Sequence, residues 1–299
     1  MSLDPISLRI FISACEEKSM ARAAERECVA ASVVSKRLAA LESQLGVTLL
    51  ERSRTGLTIT PSGELLILQA REILDRMERA ILDIQDFNLG VSGHVRVLAS
   101  MSVLSEFLSD DVAGFLADRQ SIKVSLEERV SNDIISGIQQ GIADIGVCWD
   151  AVDTLGLATK PYRSDQICVA VPATHDLSEF TQIAYEDTLA YDQVEILAGS
   201  IVQSTLKQSA ALAGKTVRNR VQVTTFQSAC HNVAAGLGLA IVPREGAEIY
   251  SRLLGLKLIP LKDSWSRRQF MICAKDFSSL PGPSRKLADY LAAASKEQE

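Results

Sequence analysis

Nothing in this sequence approaches the ~18 consecutive apolar residues of a membrane span, although 47% of its 299 residues are hydrophobic. Histidine is scarce: His94, His175 and His231 are all there are, and no two share metal-ligand spacing. The six cysteines (Cys15, Cys28, Cys148, Cys168, Cys230, Cys273) form no C-x-x-C pair, which excludes the usual zinc and thioredoxin-like patterns. Single cysteines in apolar surroundings read as small core residues. The alternative is redox sensing, by Cys230 beside His231 or by Cys148 with Cys168, because a neighbouring imidazolium lowers a thiol pKa. Low-complexity tracts are absent, which argues against disorder. Ile12 to Cys15 resembles a lipoprotein cleavage box, but Asp4 and Pro5 precede it and the longest apolar run there is Ile10 to Ile12. That is too short for a secretory segment. A soluble, cytoplasmic chain with no metal, no cofactor and no membrane partner is expected.

Catalytic motifs are equally thin. "STLK", Ser204 to Lys207, has Ser-x-x-Lys spacing without its partner motifs. "AGKT", Ala213 to Thr216, ends like a phosphate-binding loop, but Ser209 stands where the first glycine is required. "GLGLAI" lacks the third glycine of a dinucleotide fingerprint. The chain is not expected to be an enzyme. Its 31 Lys+Arg against 37 Asp+Glu give a net charge of -6, which argues against indiscriminate polyanion binding. A small domain that is basic on one face stays compatible with it. The length suits about two domains.

What is present begins with helical periodicity. Leu8, Phe11, Ile12 and Cys15 mark one face of a first helix. Ser19 is placed to cap a second helix whose Ala21, Ala23 and Ala24 permit close packing. Val34, Leu38, Leu41 and Leu45 line one side of a third helix, and Gly46 stops it. With those residues inward, Ser32, Val33, Ser35, Lys36 and Arg37 face outward near the helix N-terminus, where free N–H groups and the dipole favour phosphate. A helix held so across a short turn is how a helix-turn-helix enters the major groove; a merely solvated face is the alternative. "VTLLERSRTGLTIT", Val47 to Thr60, then reads as two short strands around a turn at Gly56, with Arg52 and Arg54 at the tip as a basic wing. Thr60 and Pro61 open another helix. Along it, Leu66, Ala70, Ile73, Met77, Ala80, Ile84 and Phe87 keep a/d spacing, widened by Leu74 and Ile81. This seam points to a dimer; burial of the stripe within a single chain is the alternative.

From Leu8 to Glu64 the chain resembles the reading head of LysR-type transcriptional regulators. "SMARAAERE", "VSKRLAALESQLGVTLLERS" and "LTITPSGE" carry the resemblance. That family usually opens its recognition helix with Ser-Gln-Pro, where this chain has Ala30, Ala31 and Ser32, so an amide suited to adenine is missing. Glu27 stands where the family has a turn-side leucine.

Beyond "NLGVSGH", Asn88 to His94, strands and helices alternate: "HVRVLAS", a helix through Phe107 and Phe115, "IKVSLEER", a helix through Ile134 and Ile138, then "ADIGVCW". This order implies a parallel sheet covered by helices. "QICVAVP", "QVEILAG", "VRNRVQVTTF", a helix from Gln227 and "LGLAIVP" continue it. Ligands of such sheets bind outside the carboxyl ends of the strands. The candidate effector residues are therefore Ser100, Met101, Ser102, Ser131, Trp149, Ser200, Ile201, Thr225 and Phe226. Serine hydroxyls suit a polar head, and Trp149, Phe226 and Met101 suit an apolar body, as in an organic acid or an aromatic. No arginine falls clearly in the set, so a strongly anionic ligand is not demanded.

This half resembles the two-lobed, periplasmic-binding-protein-like α/β effector domain of the same family, above all in "VAAGLGLAIVP", Val233 to Pro243. The resemblance implies a winged helix-turn-helix over residues 1–61, a linker helix over 62–90 and an effector domain over 91–299. It also implies double-stranded promoter DNA, a small-molecule effector, a homodimer or homotetramer, and RNA polymerase if the protein activates.

Overall fold

The computed structural model describes residues 3–53, 56–88 and 93–295, and they form two compact units. The first is built from α1 (Pro5–Glu17), α2 (Met20–Arg26), α3 (Ala31–Leu45), a hairpin of β1 (Leu50–Ser53) and β2 (Gly56–Ile59), and α4 (Pro61–Asn88). Each start has a local cause. Asp4 accepts from Ile6 N (3.3 Å) and Ser7 N (3.1 Å) at α1, Ser19 caps α2, and Thr60 Oγ1 accepts from Gly63 N (3.1 Å) at α4. Gly46, at φ +71°, ends α3 in the left-handed conformation. Leu8, Phe11, Ala23, Val34, Leu38, Leu41 and Leu49 fill the core, joined by Leu66 and Ala70 of α4. The wing is tied down at two points. Glu42 Oε1 accepts from Leu49 N (2.7 Å) and Leu50 N (3.2 Å). A Cβ on Gly56 would lie 2.6 Å from Lys18 O.

The second unit alternates strands and helices: β3 (Gly93–Ala99), α5 (Met101–Val103), a π turn (Leu104–Leu108), α6 (Ser109–Leu116), β4 (Ile122–Glu128), α7 (Ser131–Gln140), β5 (Ile145–Trp149) and β6 (Ala158–Pro172). There follow α8 (Tyr185–Thr188), β7 (Gln193–Ile196), α9 (Ile201–Leu212), β8 (Asn219–Val223), α10 (Phe226–Ala234), β9 (Leu239–Pro243), α11 (Arg244–Leu254), β10 (Leu256–Pro260), β11 (Arg267–Ala274) and α12 (Gly282–Ala294). The strand order is β4-β3-β5-β11-β6-β9-β7-β8, with β10 also on β6. Neighbours β3, β4 and β5 are parallel, as are β7, β8 and β9. β6 and β11 run antiparallel to each other and join the two halves.

Two lobes result. The first packs β3, β5 and β11 against Val112, Phe115, Leu287 and Leu291 of α6 and α12. The second packs the later half of β6 with β9 and β10 against α9, α10 and α11. β6 passes from one lobe to the other: its earlier half pairs with β11, its later half with β9 and β10. The helix expected through Phe107 and Phe115 is broken by the π turn, and "QICVAVP" is the later half of a longer strand.

Candidate functional site

α3 begins without a side-chain cap, because Ala30 has no acceptor to offer its first turn. Ser32, Val33 and Lys36 are exposed there, and Ser35 is half-buried. Lys36 makes no ion pair among the described residues. Arg37 is engaged: its Nη1 is paired with Asp4 and lies 3.2 Å from Ser7 Oγ, so it joins α3 to the start of α1. Free N–H groups beside a lysine and hydroxyls make a surface suited to phosphate and base edges. Arg52 lies in β1, its side chain outside the described residues, and Arg54 lies outside them altogether. Glu27, in the leucine position of the turn, is accommodated by polarity: Ser13, buried in α1, donates to Glu27 Oε1 at 2.5 Å.

In the second unit a cavity of ≈ 60 Å³ lies between the lobes. Of the nine residues expected there, eight line it: Ser100, Met101, Ser102, Ser131, Trp149, Ser200, Ile201 and Phe226. The strand-end rule brings them together, since β3, β5, α7, α9 and α10 all end or begin at this cleft. Thr225 does not line it. It is exposed, and its hydroxyl accepts from Ser228 N (3.1 Å) to cap α10. Ser200 does both, capping Gln203 N (3.3 Å) at the cavity wall. Ser100 precedes α5 without capping it, and its Oγ is buried with no hydrogen-bond partner.

Two arginines correct the expectation of an arginine-free cleft. Arg129 pairs with Glu127 and is half-exposed. Arg268, at the start of β11, is buried beneath the cavity. Its Nε lies 2.8 Å from Asp165 Oδ1 and its Nη2 binds the other oxygen. The guanidinium carbon stands 5.0 Å from the Phe270 ring centroid and 5.7 Å from that of Trp149. Nothing local marks Arg268 in the sequence, because it reaches the cleft only through the late insertion of β11 between β5 and β6. Since Asp165 already matches its charge, the cleft carries little surplus positive charge.

Four of the thiols, Cys148, Cys168, Cys230 and Cys273, are buried. Burial pushes Cys230 up to about 11 and Cys168 up to about 12. Cys148 is raised by its hydrogen bond with Cys273 and then by burial, and Cys273, not Cys168, is its partner.

Comparison with known proteins matches both units. Residues 6–64 fit the family described as bacterial regulatory helix-turn-helix protein, lysR family, and residues 88–296 fit the LysR substrate binding domain. The HTH-type transcriptional regulator CysL of Bacillus subtilis is 25% identical over 241 residues, 79% of each chain. The uncharacterized HTH-type regulator YfeR of Shigella flexneri is 25% identical over 94% of this chain and 91% of its own. The crystal structure of CbnR, a LysR family transcriptional regulator, shares the fold with a TM-score of 0.71 at 20% identity, covering 98% of this chain and 99% of that one. No described helix is long and apolar enough to cross a membrane. The chain belongs to the LysR family and is a transcriptional regulator, with a helix-turn-helix DNA-binding domain followed by an effector-binding domain.

Proposed function

We propose that this regulator reads promoter DNA through Ser32, Val33, Ser35 and Lys36 of α3, with Arg37, Arg52 and Arg54 supporting the same face. The uncapped first turn of α3, exposed beside Lys36, carries this reading. Two such heads on one duplex require a dimer or tetramer, and the apolar stripe of α4 supports that assembly. If the protein activates, RNA polymerase is its further partner. The effector is a small organic acid or aromatic held by Ser100, Met101, Ser102, Ser131, Trp149, Ser200, Ile201 and Phe226. The unpartnered Ser100 hydroxyl offers it a donor, and Trp149 and Phe226 offer an apolar wall. Residues of both lobes line the cavity, so a ligand held there couples occupancy to lobe geometry.

The test is a gel-shift titration of Lys36→Ala at several salt concentrations. Loss of one phosphate contact lowers the slope of log K against log salt by about one. Unchanged affinity and slope in a folded variant would remove this face from the reading surface.

A further inference from the structure

We propose that Glu106, Asp165 and Arg268 hold one buried proton, carried on Glu106, that latches the two lobes of the effector domain together. Glu106 lies in the π turn of the first lobe, which packs on α11 of the second. Asp165 and Arg268 are register partners on β6 and β11, the strands that join the lobes. The side chains of Glu106 and Asp165 have no solvent exposure. Both Glu106 oxygens are without a hydrogen-bond partner. The nearest cation, Arg268 Nη2, is 3.8 Å from Glu106 Oε1 and is already bound to Asp165.

The charge count decides the protonation state. Carboxylate oxygens of Glu106, Asp165 and Glu245 all lie within 4.8 Å of one another, against the single buried guanidinium of Arg268. Three ionised carboxylates would leave two uncompensated negative charges at a place two of them cannot share with water. Glu245, at the start of α11, is exposed and so retains contact with water, although partial burial raises its carboxyl too. Asp165 has two guanidinium bonds. Glu106 has none, so it is the group that gains from a proton: as an acid its O–H donates to Asp165, which removes the buried charge and pairs one of the two orphaned oxygens. Burial foremost, and then Asp165, pushes the Glu106 carboxyl well above the usual carboxylate range, with Arg268 opposing. The remaining groups nearby do not replace that proton. Asp111, five residues on, is taken by Arg163 (2.7 and 2.8 Å), Asp110 is exposed, and Cys168 is a buried thiol. On α11, Arg244 and Glu248 are exposed. Ionising Glu106 would place an unmatched charge at the lobe junction. Since Arg268 also lines the cleft, the proton lies one guanidinium away from the proposed effector site; only this last consequence rests on the effector reading.

The sign follows from linkage. A carboxyl raised in the folded state contributes stability that is complete below its unfolded pKa and is lost as pH rises toward and through the folded pKa. Thermal melting of the full-length chain and of Glu106→Gln, from pH 5.5 to 7.5, tests it. In the transition of the effector domain, the melting midpoint of the variant gains on that of the wild type by about 3–5 °C per pH unit. Infrared spectra of the wild type at pH 7 show a protonated-carboxyl stretch that the variant lacks. A midpoint difference that does not change with pH, or no such band at pH 7, overturns the proposal. Stabilisation by millimolar Ca²⁺ or Mg²⁺ that Glu106→Gln abolishes would overturn it in favour of a bound cation. Should the variant not fold, the wild-type band alone decides.

Discussion

Ser100 and Thr225 follow the carboxyl ends of strands and precede helices, yet their hydroxyls meet different surroundings. Thr225 caps its own helix at the surface, whereas Ser100 caps nothing and faces the cavity with no partner. Spacing along the chain cannot distinguish the two, because the distinction is a rotamer choice made by neighbours in space. Their alanine variants should therefore diverge. Thr225→Ala loses a cap, about 1 kcal/mol, and its melting midpoint falls by about 2–4 °C. The thermal shift given by the best-binding organic acid or aromatic from a screen is unchanged in this variant. Ser100→Ala keeps its melting midpoint, since no bond is lost in the free protein, and binds that compound about 3–10-fold more weakly. Titrations by thermal shift measure both; a weaker ligand response in Thr225→Ala but not in Ser100→Ala would exchange their roles. Arg268 is a related case at the same scale. Its neighbours "SRRQF" suggest a surface strand, and its burial follows from the carboxylate of Asp165, more than a hundred positions earlier.

Among the elements, those with local causes were legible: α1 to α3 from their periodicity and caps, the wing from its glycine, and β3 to β5 from apolar runs at regular spacing. β10, β11 and α12 were not, because their places depend on crossing back to strands laid down far earlier in the chain. The linker helix shows how a sequence stripe can be divided between two partners. Leu66 and Ala70 are buried in the reading head's own core, so they are not part of a free seam. Met77, Ile81 and Ile84 are 44%, 56% and 64% exposed at spacings of four and three, a stripe unmatched within the described chain. Phe87 continues the spacing, its side chain outside the described residues. Apolar side chains left open at this spacing are what a second helix covers. Ile81→Asp with Ile84→Asp should turn a dimer into a monomer at micromolar concentration in sedimentation equilibrium. The reading head should stay folded in that variant, because neither residue enters its core. A wild-type monomer under the same conditions would remove α4 from the dimer interface.

For the whole molecule, strand order decides which distant residues meet, the cysteines among them. Inserting β11 between β5 and β6 brings Cys273 beside Cys148 in the first lobe, while Cys168 lies in the half of β6 that belongs to the second. Cys230 sits inside α10, with its neighbour His231 turned outward to the carbonyl of Gln227 at 3.0 Å, so no imidazolium assists the thiol. A thiol held at about 11 is thiolate in about one molecule in ten thousand at pH 7, too few for a fast peroxide reaction. Cys28, in the turn before α3, is exposed. A maleimide at pH 7 should therefore label the native chain at Cys28, and label Cys148, Cys168, Cys230 and Cys273 only after denaturation. Operator affinity measured by gel shift should be the same with dithiothreitol as with peroxide. A peroxide-dependent change, with mass spectrometry showing a Cys148–Cys273 bridge, would instead make that buried pair a sensor within the first lobe.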